Sequence, residues 1–113
     1  MLFLGLGTGL GSALVIDNTV APLELAHLPY RKKRTYEDYV GERGRKRIGD
    51  KHWREAVLDV IELLSAALEP ESVVLGGGNA SRVKELPANV RLGHNEAAFL
   101  GGFRLWSPVI RTT

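Results

Sequence analysis

Glycine occupies positions 5, 7, 9 and 11 of this chain, between an apolar start and the β-type run Ser12-Ala13-Leu14-Val15-Ile16. This spacing constrains the fold more than any other feature. Phe3-Leu4-Gly5-Leu6 reads as a buried strand and residues 12–16 as a second, so the glycines form a turn between two strands. Two phosphate-binding patterns are excluded by inspection. The dinucleotide fingerprint requires glycine at the first, third and sixth positions, but counting from Gly5 or Gly7 the sixth residue is Leu10 or Ser12. The Walker pattern ends in Gly-Lys-Ser/Thr, and no lysine precedes Lys32. Both of those loops also feed a helix, whereas this one feeds a strand. A glycine turn without Cβ atoms still allows backbone N–H groups to converge on an anion, and Thr8 adds a hydroxyl. The alternative is a tight hairpin with close backbone packing.

Further along, Asp17-Asn18 is a turn pair tolerant of positive φ. It leads into a third strand over 19–25, which Pro22 places at an edge or bulge. Residues 28–49 are polar, basic and tyrosine-rich and read as short helices and loops. Thr35 caps one helix in a box-like arrangement with Asp38, and Gly41 and Gly44 end or break it. The strongest element is a helix over 51–68. Asp50 is its expected N-cap, Trp53, Val57, Val60, Ile61, Leu64 and Leu68 share one face, and Pro70 ends it. A strand at 72–75 follows. Gly76-Gly77-Gly78 then opens a helix over 79–85, and 89–92 forms a last strand. Asn95 caps a final helix to Trp106, within which Gly101-Gly102 allows close approach. Trp53 and Trp106 are expected in the core, and His52 and His94 at the surface or as caps. A meander followed by alternating units predicts an α/β fold, a mixed sheet with flanking helices. At 113 residues the chain is expected to be a single domain.

The second glycine cluster, Leu75-Gly76-Gly77-Gly78-Asn79, lies between a strand and a helix, where backbone can approach a ligand. Two such clusters in one small domain favour a shared ligand over a purely structural role. No cysteine is present, and His27, His52 and His94 are not at ligand spacing, so neither a thiolate zinc site nor another structural metal is expected. Net charge is only +2, but ten of the fifteen Lys and Arg residues fall between Arg31 and Arg54. That cluster suits phosphates, polyphosphate or nucleic acid, or it is a solvated surface. No run is long enough to cross a bilayer and no basic leader opens the chain, so no membrane association and a cytoplasmic location are expected.

With both clusters in view, the chain resembles the ROK family of sugar kinases and repressors, and within it the polyphosphate/ATP glucokinases. The segment from Leu4 to Ala13 resembles the second phosphate-binding hairpin of actin-like ATPases. By that resemblance Gly7, Thr8, Gly9 and Gly11 would lie at the nucleotide phosphates, and Gly76, Gly77, Gly78 and Asn79 at the adenosine. Pro22-Leu23-Glu24-Leu25-Ala26-His27 resembles the family's Glu-x-Gly-His motif, in which Glu24 and His27 would hydrogen-bond a hexose. Ala26 departs from that motif's glycine. A zinc-binding His/Cys cluster found after the motif in many members is absent, and Tyr36-Glu37-Asp38-Tyr39-Val40-Gly41 stands in its place.

The resemblance implies a ribonuclease H-like lobe, the C-terminal nucleotide-binding half of a kinase. Such a kinase transfers phosphoryl from ATP or polyphosphate, with Mg²⁺, to glucose or a related hexose. The family's catalytic Asp and its Asp-x-Gly-Gly-Thr segment lie in a preceding N-terminal lobe that has no counterpart here. No catalytic residue is therefore assigned to this chain, which is expected to be inactive alone and to need that lobe or an oligomeric partner. Asp17 and Asp59 read as solvated, and Glu24 and His27 read equally as a structural pair from the residues alone. Three rivals stand beside this reading: a sugar-sensing lobe related to the family's repressors, a nucleic-acid or polyphosphate binder using residues 31–54, and a non-functional fragment with an exposed apolar face.

Overall fold

A computed structural model of the chain describes residues 1–93. The predicted cap at Asn95, the final helix to Trp106, Gly101-Gly102 and His94 lie outside the described residues.

The apolar opening forms β1 (Leu2–Leu6), which is followed by β2 (Leu10–Ile16) and β3 (Thr19–Leu23) in an antiparallel meander. The turn between β2 and β3 is the expected pair, with φ of 49° at Asp17 and 63° at Asn18. These values give it the twist a two-residue hairpin needs. β3 ends two residues before the predicted limit, leaving Glu24 and Leu25 in a loop. Pro22 is tolerated because β3 is the sheet edge.

The basic segment then folds into a small hairpin of β4 (Pro29–Arg31) and β5 (Arg34–Thr35), followed by α1 (Tyr36–Val40) and α2 (Glu42–Ile48). The Thr35–Asp38 capping box is present in full. Gly41 separates the two helices, as expected. Gly44 does not break anything: it sits inside α2, where a Cβ would run into the Asp38 and Tyr39 carbonyls of α1. Here glycine permits one helix to lie directly on the other.

The long helix, α3 (Asp50–Leu68), begins one residue earlier than predicted. Its N-cap is Gly49, at φ +87°, and makes no side-chain cap bond. Asp50 is thus not the cap. Its carboxylate instead accepts a hydrogen bond from Arg45 at 2.8 Å, an interaction that competes with capping its own helix. Trp53, Val57, Val60, Ile61 and Leu64 are buried on one face together with Ala56, whereas Leu68 is exposed in the last turn. After β6 (Val73–Gly76), the predicted helix over 79–85 is only a 3-10 turn, Ala80–Arg82. The chain leaves helical conformation at Lys84, which takes φ +71°, and Pro87 lies just beyond. β7 (Val90–Leu92) closes the described chain.

The five-stranded sheet has the order β3-β2-β1-β6-β7, with β1, β6 and β7 mutually parallel. Period-two alternation divides β1 between two faces. Leu2, Leu4 and Leu6 pack with Val73, Leu75 and the apolar stripe of α3, and Phe3 packs with Val74 on the other side. Trp53 is wholly buried and donates its indole N–H to the Val40 carbonyl at 2.9 Å, so the core's largest side chain also fixes the end of α1.

Candidate functional site

Register brings the two glycine segments together. β1 and β6 are adjacent and parallel, with Gly5 opposite Gly76, so both chains leave the sheet at the same edge. The second segment then folds directly over the start of the first. Gly77 has φ +87°, and a Cβ there would lie 2.5 Å from the Leu6 carbonyl oxygen, so no other residue fits without moving backbone. The Asn79 amide donates to that same Leu6 oxygen at 2.8 Å. Gly7 and Gly78, by contrast, have nothing within 4 Å of where a Cβ would be, and Thr8 is exposed. Gly11 and Gly76 are buried within their strands. The carboxyl ends of parallel strands, with an antiparallel meander on one side, are where open α/β sheets place their ligands.

The β3 exit reaches the same edge. β3 runs antiparallel to β2, with Leu23 paired to Ser12, and the Ser12 hydroxyl donates to the Leu23 carbonyl at 3.1 Å. Glu24 and His27 follow at once, both exposed. Ala26 between them is buried, and its carbonyl accepts the Glu37 amide at 3.0 Å.

Glu37 links this loop to the glycine turn. Its backbone holds Ala26, while its carboxylate accepts the Leu10 amide at 3.0 Å. Glu42 makes a second link: its amide donates to the Thr8 carbonyl at 3.1 Å. The Glu42 carboxylate is held below the usual carboxylate range first by Arg45, whose Nε donates to it at 2.6 Å, and further by the Asn79 side chain. Asn79 is 5% exposed, and its Oδ1 accepts Arg82 Nε at 2.9 Å. The sequence reading missed Glu37 and Glu42 as neighbours of the turn. The signal was available in the Thr35–Asp38 box, which fixes where α1 begins and hence which residues face the sheet.

Of the candidate acids, Asp17 sits at the opposite end of β2 from the glycine turn. Asp59 is not a free surface group: it accepts hydrogen bonds from the Tyr30 hydroxyl and from Arg31 Nη2, the latter at 2.7 Å. Burial, together with Asp59, pushes the Tyr30 phenol well above its ordinary value. Tyr30 stacks on Tyr36 and meets Tyr39 edge-on, at centroid distances of 5.1 and 4.9 Å. Among the described residues, no three His, Asp or Glu side chains converge as a metal site, and no helix is long and apolar enough to cross a membrane. At this edge the Gly7 amide bonds to the Gly9 carbonyl at 3.2 Å and the Leu10 amide to Glu37, while the Thr8, Glu24 and His27 side chains are exposed.

Neither a protein-family model nor a curated protein sequence matches the chain. Solved structures do. A polyphosphate/ATP-glucomannokinase from Arthrobacter sp. strain KM is 29% identical over 80% of this chain, with a TM-score of 0.67. A protein from Cytophaga hutchinsonii ATCC 33406, named only provisionally as a sugar kinase, is 15% identical over 92% of the chain, with a TM-score of 0.60. This chain spans 37% and 56% of their respective lengths. The fold is the expected one, a mixed α/β lobe of the actin-like sugar-kinase type.

Proposed function

We propose that this chain is the C-terminal, donor-binding half of a ROK-type hexose phosphotransferase, the polyphosphate/ATP glucokinase branch being the nearest in character. The observation that carries the reading is the closure of the second glycine segment on Leu6, which stacks both glycine runs at one sheet edge beside the Glu24–His27 loop. The likeness to a glucomannokinase supports it.

In this reading the backbone around Gly7, Thr8, Gly9 and Gly11 holds phosphate oxygens, with the Thr8 hydroxyl as a further donor. The open space at Gly78, beside Gly76, Gly77 and Asn79, takes the nucleoside. Glu24 and His27 hydrogen-bond hexose hydroxyls and so orient the acceptor. Mg²⁺, when bound, would supply charge neutralisation at the transferring phosphoryl group. The residues here bind and position. No Asp or Glu at this edge is assigned the proton of the attacking hydroxyl, so the chain alone is not competent and requires a complementary lobe.

Calorimetry on the whole chain tests this. MgATP should bind, and Thr8→Val should weaken it several-fold while leaving the fold intact. Glu24→Gln and His27→Gln should leave MgATP binding unchanged but abolish any heat from glucose. No MgATP binding by the unaltered chain would sink the donor assignment. Ordinary turnover in a coupled glucose assay would sink the claim that a second lobe is needed. Tight glucose binding without nucleotide would redirect the reading to a sugar sensor.

A further inference from the structure

A second concavity lies away from the glycine edge. α2 starts at that edge, where the Glu42 amide meets the Thr8 carbonyl. It runs seven residues, about 10 Å at helical rise, to Ile48. Ile48 lines an open cavity of about 660 Å³ whose other walls are the β4–β5 hairpin and α3. That volume falls in the range of small-molecule sites. None of the residues proposed above to hold donor or hexose borders it.

Its two walls carry opposite charge. The hairpin supplies Arg31 and Lys32, and α3 supplies Glu55 and Asp59, one helical turn apart on the same side. One cation–carboxylate pair across the cavity is closed. Arg31 Nη2 reaches Asp59 at 2.7 Å, and the Tyr30 hydroxyl donates to the same carboxylate. The other pair is open. Lys32 has no hydrogen-bond or ion-pair partner among the described residues. Glu55 meets the His52 ring at 3.0 Å, with the two side chains 62% and 70% exposed. So exposed a pair contributes little in water, and an incoming cation displaces His52 from Glu55 at small cost. The rest of the lining is predominantly apolar: half-buried Tyr39 and Ile48, and buried Ala56.

We propose that this cavity binds a free α-amino acid with an apolar side chain. The ligand carboxylate meets Lys32, its ammonium meets Glu55, and its side chain covers Tyr39, Ile48 and Ala56. A zwitterion completes the open pair and leaves no charge unmatched. A simple anion would face Glu55, and a simple cation would face Lys32. The inference stands independently of the donor-site reading above.

NMR titration of the whole chain tests this, with L-leucine, L-serine, leucinamide and N-acetyl-L-leucine as probes. Leucine should give saturable amide shifts at the β4–β5 hairpin, Tyr39, Ile48 and the first half of α3, and none at residues 7–11. Serine should bind about tenfold more weakly for want of apolar contact. Leucinamide and N-acetyl-leucine should each lose about tenfold, the first lacking the carboxylate and the second the ammonium. Glu55→Gln should bring leucine down to the level of N-acetyl-leucine, and Lys32→Gln should bring it down to that of leucinamide. Each levelling is a change in selectivity, which a damaged fold would not produce. The proposal is overturned by absent or non-saturable leucine binding, by shifts centred on the glycine turn, or by a selectivity that either variant leaves intact. Equal binding of leucine and N-acetyl-leucine by the unaltered chain would mark a site for organic acids and overturn it as well.

Discussion

The Glu37 carboxylate occupies the space where a side chain at Gly9 would be: a Cβ on Gly9 would lie 2.5 Å from Oε2, the oxygen that accepts the Leu10 amide. Gly9→Ala therefore forces Glu37 off Leu10. The expected cost is about 1–2 kcal/mol, that of a partly buried amide losing its partner. In a Glu37→Ala background the same change should cost markedly less, because the obstacle is gone. A double-mutant cycle by urea unfolding reads this coupling directly, and additive effects would contradict the contact.

Gly77 and Gly78 are neighbours with opposite tolerances. Gly77→Ala meets the Leu6 backbone and a positive φ together, so a loss of about 3 kcal/mol or more is expected, a large share of the stability of a domain this size. Gly78→Ala faces open space and should change stability by less than about 0.5 kcal/mol. Thermal melts of the pair check the contrast.

Trp53→Phe removes the bond to Val40 and leaves a void beneath α1. We expect a loss of about 2–3 kcal/mol from the two effects combined. Amide exchange should show α1 opening more readily than β1 and β6, since α1 loses its anchor and those strands keep theirs.

Three carboxylates set an acid limit. Asp38 is held below its ordinary value first by the Thr35 amide, and Glu42 and Asp50 are held down first by Arg45. A group with a depressed folded-state pKa adds stability above its unfolded value and loses it as pH falls through the lower folded one. The melting temperature should therefore be flat near neutrality and decline below about pH 4.5, the upper end of ordinary carboxylate values. Asp38→Asn should lower the neutral plateau and make the acid decline shallower. An unchanged profile would mean that the capping box adds nothing.

Much of this was legible in the sequence. The apolar runs at 3–6 and 12–16 and the apolar stripe of α3 located the sheet and its covering helix, because both are set by burial. Asp17-Asn18 and the Thr35–Asp38 box were readable because their local chemistry admits few conformations. The failures came where tertiary demands overrode local preference. Asp50 has the chemistry of a cap but is drawn to Arg45, which lies five residues earlier. The predicted helix after Gly78 is cut to one turn as Lys84 enters the left-handed region at φ +71°, a conformation its own residue type does not announce. Asp59 looked solvated because Tyr30 and Arg31 reach it only once the hairpin folds back. At the candidate site the glycines were visible as composition, but their meeting at one edge depends on β6 inserting beside β1, a choice of strand order.

That choice has a consequence for how such a lobe can change. The distance between the two glycine runs is set by the ladder between β1 and β6, not by the peptide that joins them. Everything from the β3 exit through α3 is an excursion that departs from and returns to a fixed frame. It can lengthen, shorten or exchange its charged surface without altering that separation, so the two runs and what the excursion brings to them can be remodelled separately.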